Sequence, residues 1–253
     1  MYPGCFDTHG RNGYYSNVPK AIIFDLDDTI ISYDSVTEQV WKDVCRRYAS
    51  GVNGLDAESL YQAIGRAREW YWADPERHRL GRLNLFSARR EVLKLALSYL
   101  DFDLPDLANK IADTFSIERD EAAFLFPGAV DTLTFLKQNG RRLALITNGA
   151  MQRAKLHRFG LEPFFDSILI EGEFGCGKPD SRVFTHTLQK LAINAADAWM
   201  VGDDLGRDLA PCKPLGIYTV WVDWKGAGLP SSGKVKPDKI IANISELSQI
   251  LDI

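Results

Sequence analysis

The chain has 253 residues, 45% of them hydrophobic and 25% charged, with a net charge of −4. This is the composition of an ordinary globular protein of one or two domains, and its slight acidity gives no electrostatic basis for binding nucleic acid or an anionic membrane. No apolar run approaches the roughly 20 residues that a membrane helix needs.

The cysteines and the N-terminal segment carry information about location. The four cysteines, at 5, 45, 176 and 212, have no paired spacing typical of a zinc motif or a disulfide framework, which favours a reducing cytoplasmic environment. Residues 1–17 lack the basic start and apolar stretch of a secretory signal. Their glycines and prolines predict a loose N-terminal tail.

The first predicted element is a short buried strand at 21–24, which runs directly into Asp25, Asp27 and Thr29. Such a continuous apolar run is typical of a strand covered on both faces of a parallel sheet. Residues two apart share a face, so Asp25 and Asp27 point the same way where the strand ends, and ligands bind at that end of open α/β sheets. Two carboxylates held there need a positive partner. The stretch therefore predicts a magnesium-dependent phosphoryl-transfer site with an aspartate nucleophile.

The next segment, 34–121, has helical rather than strand character. Apolar residues at helical spacing predict four helices, at about 36–48, 57–75, 85–100 and 104–117. The segment is large enough to form a small all-α domain inserted after the first strand.

The rest of the chain alternates helices with further apolar strands, predicted at 143–146, 167–170, 198–201 and 217–222. A loop follows at 226–237, and Ser245 is predicted to cap a final helix. This alternation predicts an α/β fold with a doubly wound, parallel, five-stranded, Rossmann-like sheet and right-handed crossovers. The sheet domain comprises 18–33 and 122–253.

Polar groups follow most of these strands. Each alone has a simple structural interpretation as a helix cap, a turn or a solvated lysine. Together they would place several acids, a hydroxyl, an amide and one lysine at one edge of the sheet, which is the set that magnesium and phosphate require. They are Asp25, Asp27 and Thr29, then Thr147 and Asn148, then Lys178, and last Asp203, Asp204 and Asp208.

These residues form four ordered motifs that resemble those of the haloacid dehalogenase superfamily phosphatases. The motifs are Asp25-Leu26-Asp27-Asp28-Thr29, Thr147-Asn148-Gly149, Lys178-Pro179, and Gly202-Asp203-Asp204 with Asp208. The resemblance covers the whole catalytic core, and the helical insertion at 34–121 resembles the C1-type cap of the family by its position. It implies a Mg²⁺ cofactor and a small phosphorylated metabolite as substrate, and it implies no nucleic acid, membrane or protein partner.

The resemblance also implies roles for the residues. Asp25 is the nucleophile and a magnesium ligand, and Asp27 protonates the leaving oxygen and later activates water, with its backbone carbonyl on the metal. Thr147 and the backbone around Asn148 hold the phosphoryl group, and Lys178 neutralises its charge.

The fourth motif completes the metal site. The resemblance makes Asp203 a magnesium ligand and favours Asp208 over Asp204 as the last one. Pro211 and Pro214 depart from the small-residue helix that is usual there, which leaves the position of Asp208 open.

Two residues in the first motif bear on the reaction type. Dehalogenases of the family lack a carboxylate two residues after the nucleophile, so Asp27 favours phosphate chemistry. Phosphomutases typically have glycine where this chain has Asp28, which makes a mutase the weaker alternative. Two further alternatives have no enzymatic activity. A phosphoryl-accepting domain is less consistent with the third strand, which ends at Glu171 where receiver domains have their phosphorylated aspartate. An idle binding module is less consistent with the presence of both Asp25 and Asp27.

The cap is predicted to choose the substrate. Its most unusual segment, 68–82, mixes aromatic and cationic residues. In one interpretation, the aromatic residues belong to the cap core and the arginines form a solvated face. In the other, the segment is a specificity site in which Arg79 and Arg82 bind a second anionic group. Within the family the chain is similar to acylneuraminate phosphatases and pyrimidine nucleotidases, and more distantly to phosphoglycolate phosphatases.

Overall fold

A computed structural model describes residues 18–231 and 233–251; the tail predicted at 1–17 lies outside them. The helices and strands are, in chain order, β1 (Ala21–Phe24), β2 (Ile31–Ser32), α1 (Thr37–Ala49), α2 (Ala57–Ala73), α3 (Pro75–Leu83), α4 (Leu85–Ser98), α5 (Pro105–Ala122), β3 (Phe124–Leu125), α6 (Ala129–Gln138), β4 (Arg142–Thr147), α7 (Gln152–Arg158), β5 (Ser167–Ile170), α8 (Glu171–Phe174), α9 (Ser181–Leu191), β6 (Ala198–Gly202), β7 (Tyr218–Val222), β8 (Lys239–Ile241) and α10 (Leu247–Ile250). None of the helices within these ranges is long and apolar enough to cross a membrane.

The main sheet is parallel and has the strand order β5-β4-β1-β6-β7-β8. Strand β1 lies between β4 and β6, with Phe24 paired to Leu145 on one side and to Val201 on the other. The doubly wound α/β sheet predicted from the sequence is therefore confirmed. Because β1 is central, the aspartates that follow it lie in the middle of the edge formed by the carboxyl ends of the strands.

The strand count is corrected from five to six. Strand β8 pairs with β7 at the edge of the sheet, and two of its three residues are exposed. An element this short, with only Ile241 buried, has no apolar run that a sequence pattern could reveal.

Both faces of the sheet are covered by apolar side chains. Ile22 and Phe24 pack into one cluster with α6 and the C-terminal helix α10, whereas Ile23 packs into a second cluster with α9. All of β1 is fully buried, as expected for a continuous apolar strand that has helices on both sides.

The helical insertion has an apolar core of its own, built by α1, α2, α4 and α5. Trp41 and Phe115 stack at its centre with ring centroids 3.5 Å apart. The insertion leaves and re-enters the sheet domain through a short antiparallel pair, in which Ile31 of β2 faces Leu125 of β3. Since β2 follows directly on the loop after β1, this pair places the insertion beside the edge where the motif aspartates lie.

One cap helix was not predicted. Helix α3 begins at Pro75, and Asp74 caps it by accepting a hydrogen bond from the amide of Arg77 at 2.8 Å. Gly81 is its only buried residue, so the helix has no apolar stripe, and its Asp-Pro start is the only local signal. The insertion therefore contains five helices within 34–122.

Candidate active site

A cavity of about 180 Å³ lies at the carboxyl ends of β1, β4 and β6. Every motif residue predicted for catalysis, phosphate binding or metal binding lines it. Its lining residues are Asp25, Asp27, Asp28, Thr147, Asn148, Lys178, Asp203, Asp204, Arg207 and Asp208. Residues as far apart in the chain as Asp25 and Asp208 meet here because parallel strands end at the same edge of the sheet.

Lys178 lies between two buried carboxylates. Its Nζ is 2.6 Å from Oδ1 of Asp25 and 2.7 Å from Oδ1 of Asp208, and the lysine is 3% exposed. Burial alone would lower the pKa of Lys178, but the charges of Asp208 and Asp25 outweigh it and raise that pKa. Burial raises the pKa of Asp25 to about 7 although Lys178 opposes it. The lysine is therefore a fixed positive charge beside the predicted nucleophile.

Asp203 adds a third carboxylate. One oxygen each of Asp25, Asp203 and Asp208 lie within 4.8 Å of one another. No salt bridge among the described residues neutralises Asp203, and burial together with the charges of Asp25 and Asp208 raises its pKa to about 9. Such a repulsive group of hard oxygen donors fits a magnesium ion well.

The turn after β6 carries Asp204 and Asp208, the two residues between which the sequence left the last metal ligand open. The side chain of Asp204 caps a single π-helical turn at 205–209 and pairs with Arg207 at 2.6 Å. Asp208, on the same turn, points inward and is 1% exposed, and its Oδ2 accepts the amide of Asp204 at 3.0 Å. A Cβ at Gly202 would collide with the Asp208 carboxylate. The geometry thus puts Asp208, and not Asp204, in the carboxylate group.

Asp27 is held by two residues of α7 that the sequence analysis did not identify. Lys155 binds its carboxylate at 2.8 and 2.9 Å, and Gln152 donates to it at 2.9 Å. Burial raises the pKa of Asp27, but the charge and hydrogen bond of Lys155 and the hydrogen bond of Gln152 outweigh it and hold that pKa below its usual value. The sequence offered one indication of this contact, which is a glutamine and a lysine three positions apart on the helix after Thr147-Asn148-Gly149.

The second and third motifs are joined through Asn148. Its side-chain amide donates to the carbonyl of Lys178 at 2.7 Å and accepts from the amide of Lys178 at 2.8 Å. This side chain therefore positions the lysine loop, while Thr147, 1% exposed at the end of β4, lines the cavity. Gly177 makes this approach possible, since a Cβ there would be 2.7 Å from Oδ1 of Asn148.

Asp28 organises the loop after β1. It adopts a left-handed conformation with φ of 61°, and its Oδ1 accepts the amides of Tyr33 and Asp34 at 2.9 and 2.7 Å. Burial raises the pKa of Asp28 in spite of these hydrogen bonds. The residue thus shapes the path of the chain into the cap.

The two cap arginines singled out from the sequence lie in different surroundings. Arg82 forms a bidentate pair with Glu171 of the sheet domain at 2.7 and 2.6 Å, and Glu171 also accepts the amide of Gly149. Arg79 pairs with Glu76 on the exposed surface of α3. It lines neither the cavity at the strand ends nor the larger cavity between the cap and the sheet domain. The specificity role assigned to them stays a prediction.

A larger cavity of about 410 Å³ lies between the cap and the sheet domain. This cap cavity shares Asp27, Asn148 and Arg207 with the cavity of 180 Å³ at the strand ends, the catalytic cavity, so the two spaces adjoin. Trp72 lines it, whereas Tyr71 is buried in the cap core and Trp70 is exposed beneath Arg77. The leaving group of a substrate would extend into this space.

The chain was compared with known proteins. A family model described as haloacid dehalogenase-like hydrolase matches residues 19–216. The phosphoserine phosphatase of Thermus thermophilus is 33% identical over 90% of this chain and 97% of that protein. The pyrimidine 5'-nucleotidase YjjG of Escherichia coli is 27% identical over 91% of this chain and 96% of that protein.

Solved structures agree on the fold. A 2-haloacid dehalogenase from Pseudomonas syringae is 28% identical, with a TM-score of 0.61 over 92% of this chain and 98% of that one. The putative hydrolase YfnB of Bacillus subtilis is 22% identical, with a TM-score of 0.71 over the same shares. With the family model matching most of the chain and the motifs meeting in one cavity, the chain belongs to the haloacid dehalogenase-like hydrolases, as the four motifs predicted.

Proposed function

We propose that this hydrolase is a magnesium-dependent phosphatase that cleaves small phosphomonoesters through an aspartyl-phosphate on Asp25. The observation that carries the proposal is the buried contact of Asp25 with Lys178, next to the carboxylates of Asp203 and Asp208. The relatives named phosphoserine phosphatase and glyceraldehyde 3-phosphate phosphatase support the reaction class.

In the first half-reaction, Asp25 attacks the phosphorus and the bond from phosphorus to the leaving oxygen breaks. Lys178 binds Oδ1 of Asp25, which leaves Oδ2 for the attack. Asp27 gives its proton to the leaving oxygen. Thr147, the backbone around Asn148, and Lys178 stabilise the equatorial oxygens of the phosphoryl group.

In the second half-reaction, Asp27 takes a proton from water, the water oxygen attacks phosphorus, and the bond to Asp25 breaks to release phosphate. The lowered pKa of Asp27 suits this base role, because Lys155 and Gln152 favour its ionised form. The negative charge of a bound phosphomonoester opposes that effect and favours the protonated form that the first half-reaction needs.

Asp25, Asp203, Asp208 and the backbone carbonyl of Asp27 would hold the magnesium ion. When bound, it neutralises the carboxylates and the phosphoryl oxygens. The protein residues that surround it exclude water and fix the position of the nucleophile.

The proposal is tested by phosphate release from p-nitrophenyl phosphate, with magnesium and with a chelator, for the wild-type protein and for Asp25→Asn. We expect metal-dependent turnover that Asp25→Asn lowers by on the order of 10⁴-fold or more, since the nucleophile is lost. The matched control is Asp43→Asn on the exposed face of α1. Full activity of Asp25→Asn would overturn the mechanism, and inactivity of the wild type on a broad panel of phosphomonoesters would overturn the function.

We further propose a cytoplasmic location. It is supported by Cys45, Cys176 and Cys212, which are free thiols in the described part of the chain. A small phosphorylated metabolite is the proposed substrate, in keeping with the size of the two adjoining cavities.

A further inference from the structure

Three arginines of the cap take no part in the proposed reaction. Arg68 of α2, Arg89 of α4 and Arg119 of α5 line the cavity between cap and sheet domain. All three also line an adjoining side pocket of about 110 Å³ with apolar walls that include Trp41 and Trp72. They come from three different helices, so only the packing of the cap brings them together.

Acids near these arginines act on them only through longer-range charge, Asp34 on Arg68 and Asp120 on Arg89. Throughout residues 18–231 and 233–251, none of the three forms an ion pair. Arg89 is 7% exposed, and its Nη2 is buried without a hydrogen-bond acceptor; Nε of Arg119 is in the same position. Burial and the positive charge of Arg119 lower the pKa of Arg68. Unpaired buried charges are costly, so a protein retains them only where something else compensates the cost.

The acids around this cavity are already engaged. Asp27 is bound by Lys155 at 2.8 Å, and Asp34 by Lys225 at the same distance. Asp120 accepts the hydroxyl of Tyr33. Lys155, Arg82 and Arg207 line the cavity too, but each is paired with a carboxylate. Because the Tyr33 hydroxyl is neutral, Asp120 keeps its charge and offsets part of the charge of the three arginines, which still leaves a net positive excess on them.

Aromatic rings hold two of the guanidinium groups in place. Arg119 lies over the ring of Tyr33 at 3.7 Å from its centroid, and Arg89 lies over Phe115 at 5.3 Å. Such stacking leaves the nitrogen donors directed sideways and limits the side-chain freedom that would be lost on binding. The arrangement is preorganised for an anion.

We propose that Arg68, Arg89 and Arg119 bind a second anionic group, a carboxylate or a phosphate, on the leaving group of the substrate. The proposal rests on the proposed function, because Asp27 lines both cavities and one small molecule would span them. The preferred substrates are then phosphomonoesters whose leaving group is itself an anion.

Matched substrates test this directly. Phosphoserine and phosphoethanolamine differ only in a carboxylate, and ethyl phosphate has a methyl group in the place of the phosphoglycolate carboxylate. A sugar bisphosphate compared with its monophosphate tests a second phosphate. We expect kcat/KM to be about 10- to 100-fold higher for the anionic member, the range for a charged hydrogen-bonded contact. A preference only within the carboxylate pairs identifies a carboxylate as the anion that the arginines bind, and a preference only within the phosphate pair identifies a phosphate. Equal rates within all three pairs would overturn the proposal.

Single substitutions test whether the three arginines cause the preference for anionic leaving groups. Arg89→Gln should lower kcat/KM for the anionic member about 10- to 100-fold more than for its neutral counterpart, and Arg89→Lys should retain part of the preference. Arg90→Gln is the matched control, since Arg90 pairs with Asp113 on the surface of the same helix. If Arg89→Gln fails to fold, Arg119→Gln and Arg68→Gln test the same prediction. An unchanged ratio in folded variants would contradict it.

A binding measurement separates this inference from the proposed function. Calorimetry on Asp25→Asn compares the affinity for phosphoglycolate and for ethyl phosphate without any need for turnover. Tighter binding of phosphoglycolate to Asp25→Asn, together with a wild type that hydrolyses no phosphomonoester, would support the anion site and overturn the phosphatase. Turnover without any discrimination, in rates or in affinities, would do the reverse.

Discussion

The catalytic cavity and the cap cavity balance their charges in opposite ways. In the catalytic cavity, carboxylates outnumber cations, and the single lysine contacts both Asp25 and Asp208. In the cap cavity, arginines outnumber acids, and Arg68, Arg89 and Arg119 have no carboxylate partner among the described residues. The first arrangement fits a cation together with phosphate, and the second fits an anion. In the proposed function, the sheet domain carries out the reaction and the cap binds the leaving group, which accounts for this difference.

After loss of the nucleophile itself, the largest expected effect comes from removing the lysine of the catalytic cavity. Lys178→Met should lower turnover about 100- to 1000-fold and reduce the free energy of unfolding by about 3–5 kcal/mol, because Asp25 and Asp208 are left buried without a partner. Phosphate release and urea denaturation measure the two effects. Lys213→Met, which removes a surface pair with Asp238, is the control and should cost at most about 1 kcal/mol. Wild-type turnover of Lys178→Met would show that this cavity does not depend on the lysine.

The next largest effect is expected from a substitution that tests how tightly the catalytic cavity is packed. Gly202→Ala places a methyl group against the carboxylate of Asp208, so it should lower turnover about 100-fold and destabilise the protein by about 1–3 kcal/mol. Steady-state kinetics and thermal unfolding measure the outcome. Gly51→Ala, where the nearest atom is 3.7 Å from the new Cβ, should change neither property appreciably. A fully active Gly202→Ala enzyme would mean that the position of Asp208 is not critical.

The contact between the cap and the sheet domain depends on pH through Glu171. Burial raises its pKa, but Arg82 and the amide of Gly149 outweigh this and hold the pKa below its usual value. The stabilisation is therefore present above about pH 4.5 and disappears as the pH falls through the lowered pKa. Glu171→Gln should cost about 1–3 kcal/mol at neutral pH and progressively less in acid.

Urea denaturation of wild type and Glu171→Gln across the acid range measures this difference. Glu173→Gln is the control on the same short helix, since its pair with Arg153 is half exposed. A stability difference between wild type and Glu171→Gln that stays constant in acid would contradict the assigned pairing.

The smallest expected effect lies in the cap. Gly65 is inside α2, and a Cβ there would meet no atom within 4 Å. Gly65→Ala should raise the free energy of unfolding by about 0.5–1 kcal/mol, because alanine loses less backbone freedom in a helix. Thermal unfolding detects the change, and Gly81→Ala, whose Cβ would be 2.9 Å from Trp72 and Tyr71, should destabilise instead. Destabilisation by Gly65→Ala would show that this helix face is not open.

The sequence by itself was enough to predict the doubly wound parallel sheet and the side chains that meet at its edge. Apolar runs such as 21–24 are a local signal, and the motif side chains follow directly on them. Because parallel strands share one edge, the positions of Asp25, Thr147 and Asp203 in the chain were enough to predict that they meet. The cavity that they line in the structure has the predicted composition.

Only the tertiary structure decided which residues surround the two cavities. Lys155 reaches Asp27 across 128 positions, and Arg68, Arg89 and Arg119 converge from three helices that carry no motif. A helical pattern indicates which face is buried but not which partner each side chain meets. For the same reason, the sequence pattern did not reveal the exposed edge strand β8 and did not distinguish Asp208 from Asp204. Short-range backbone geometry and long-range packing place these residues.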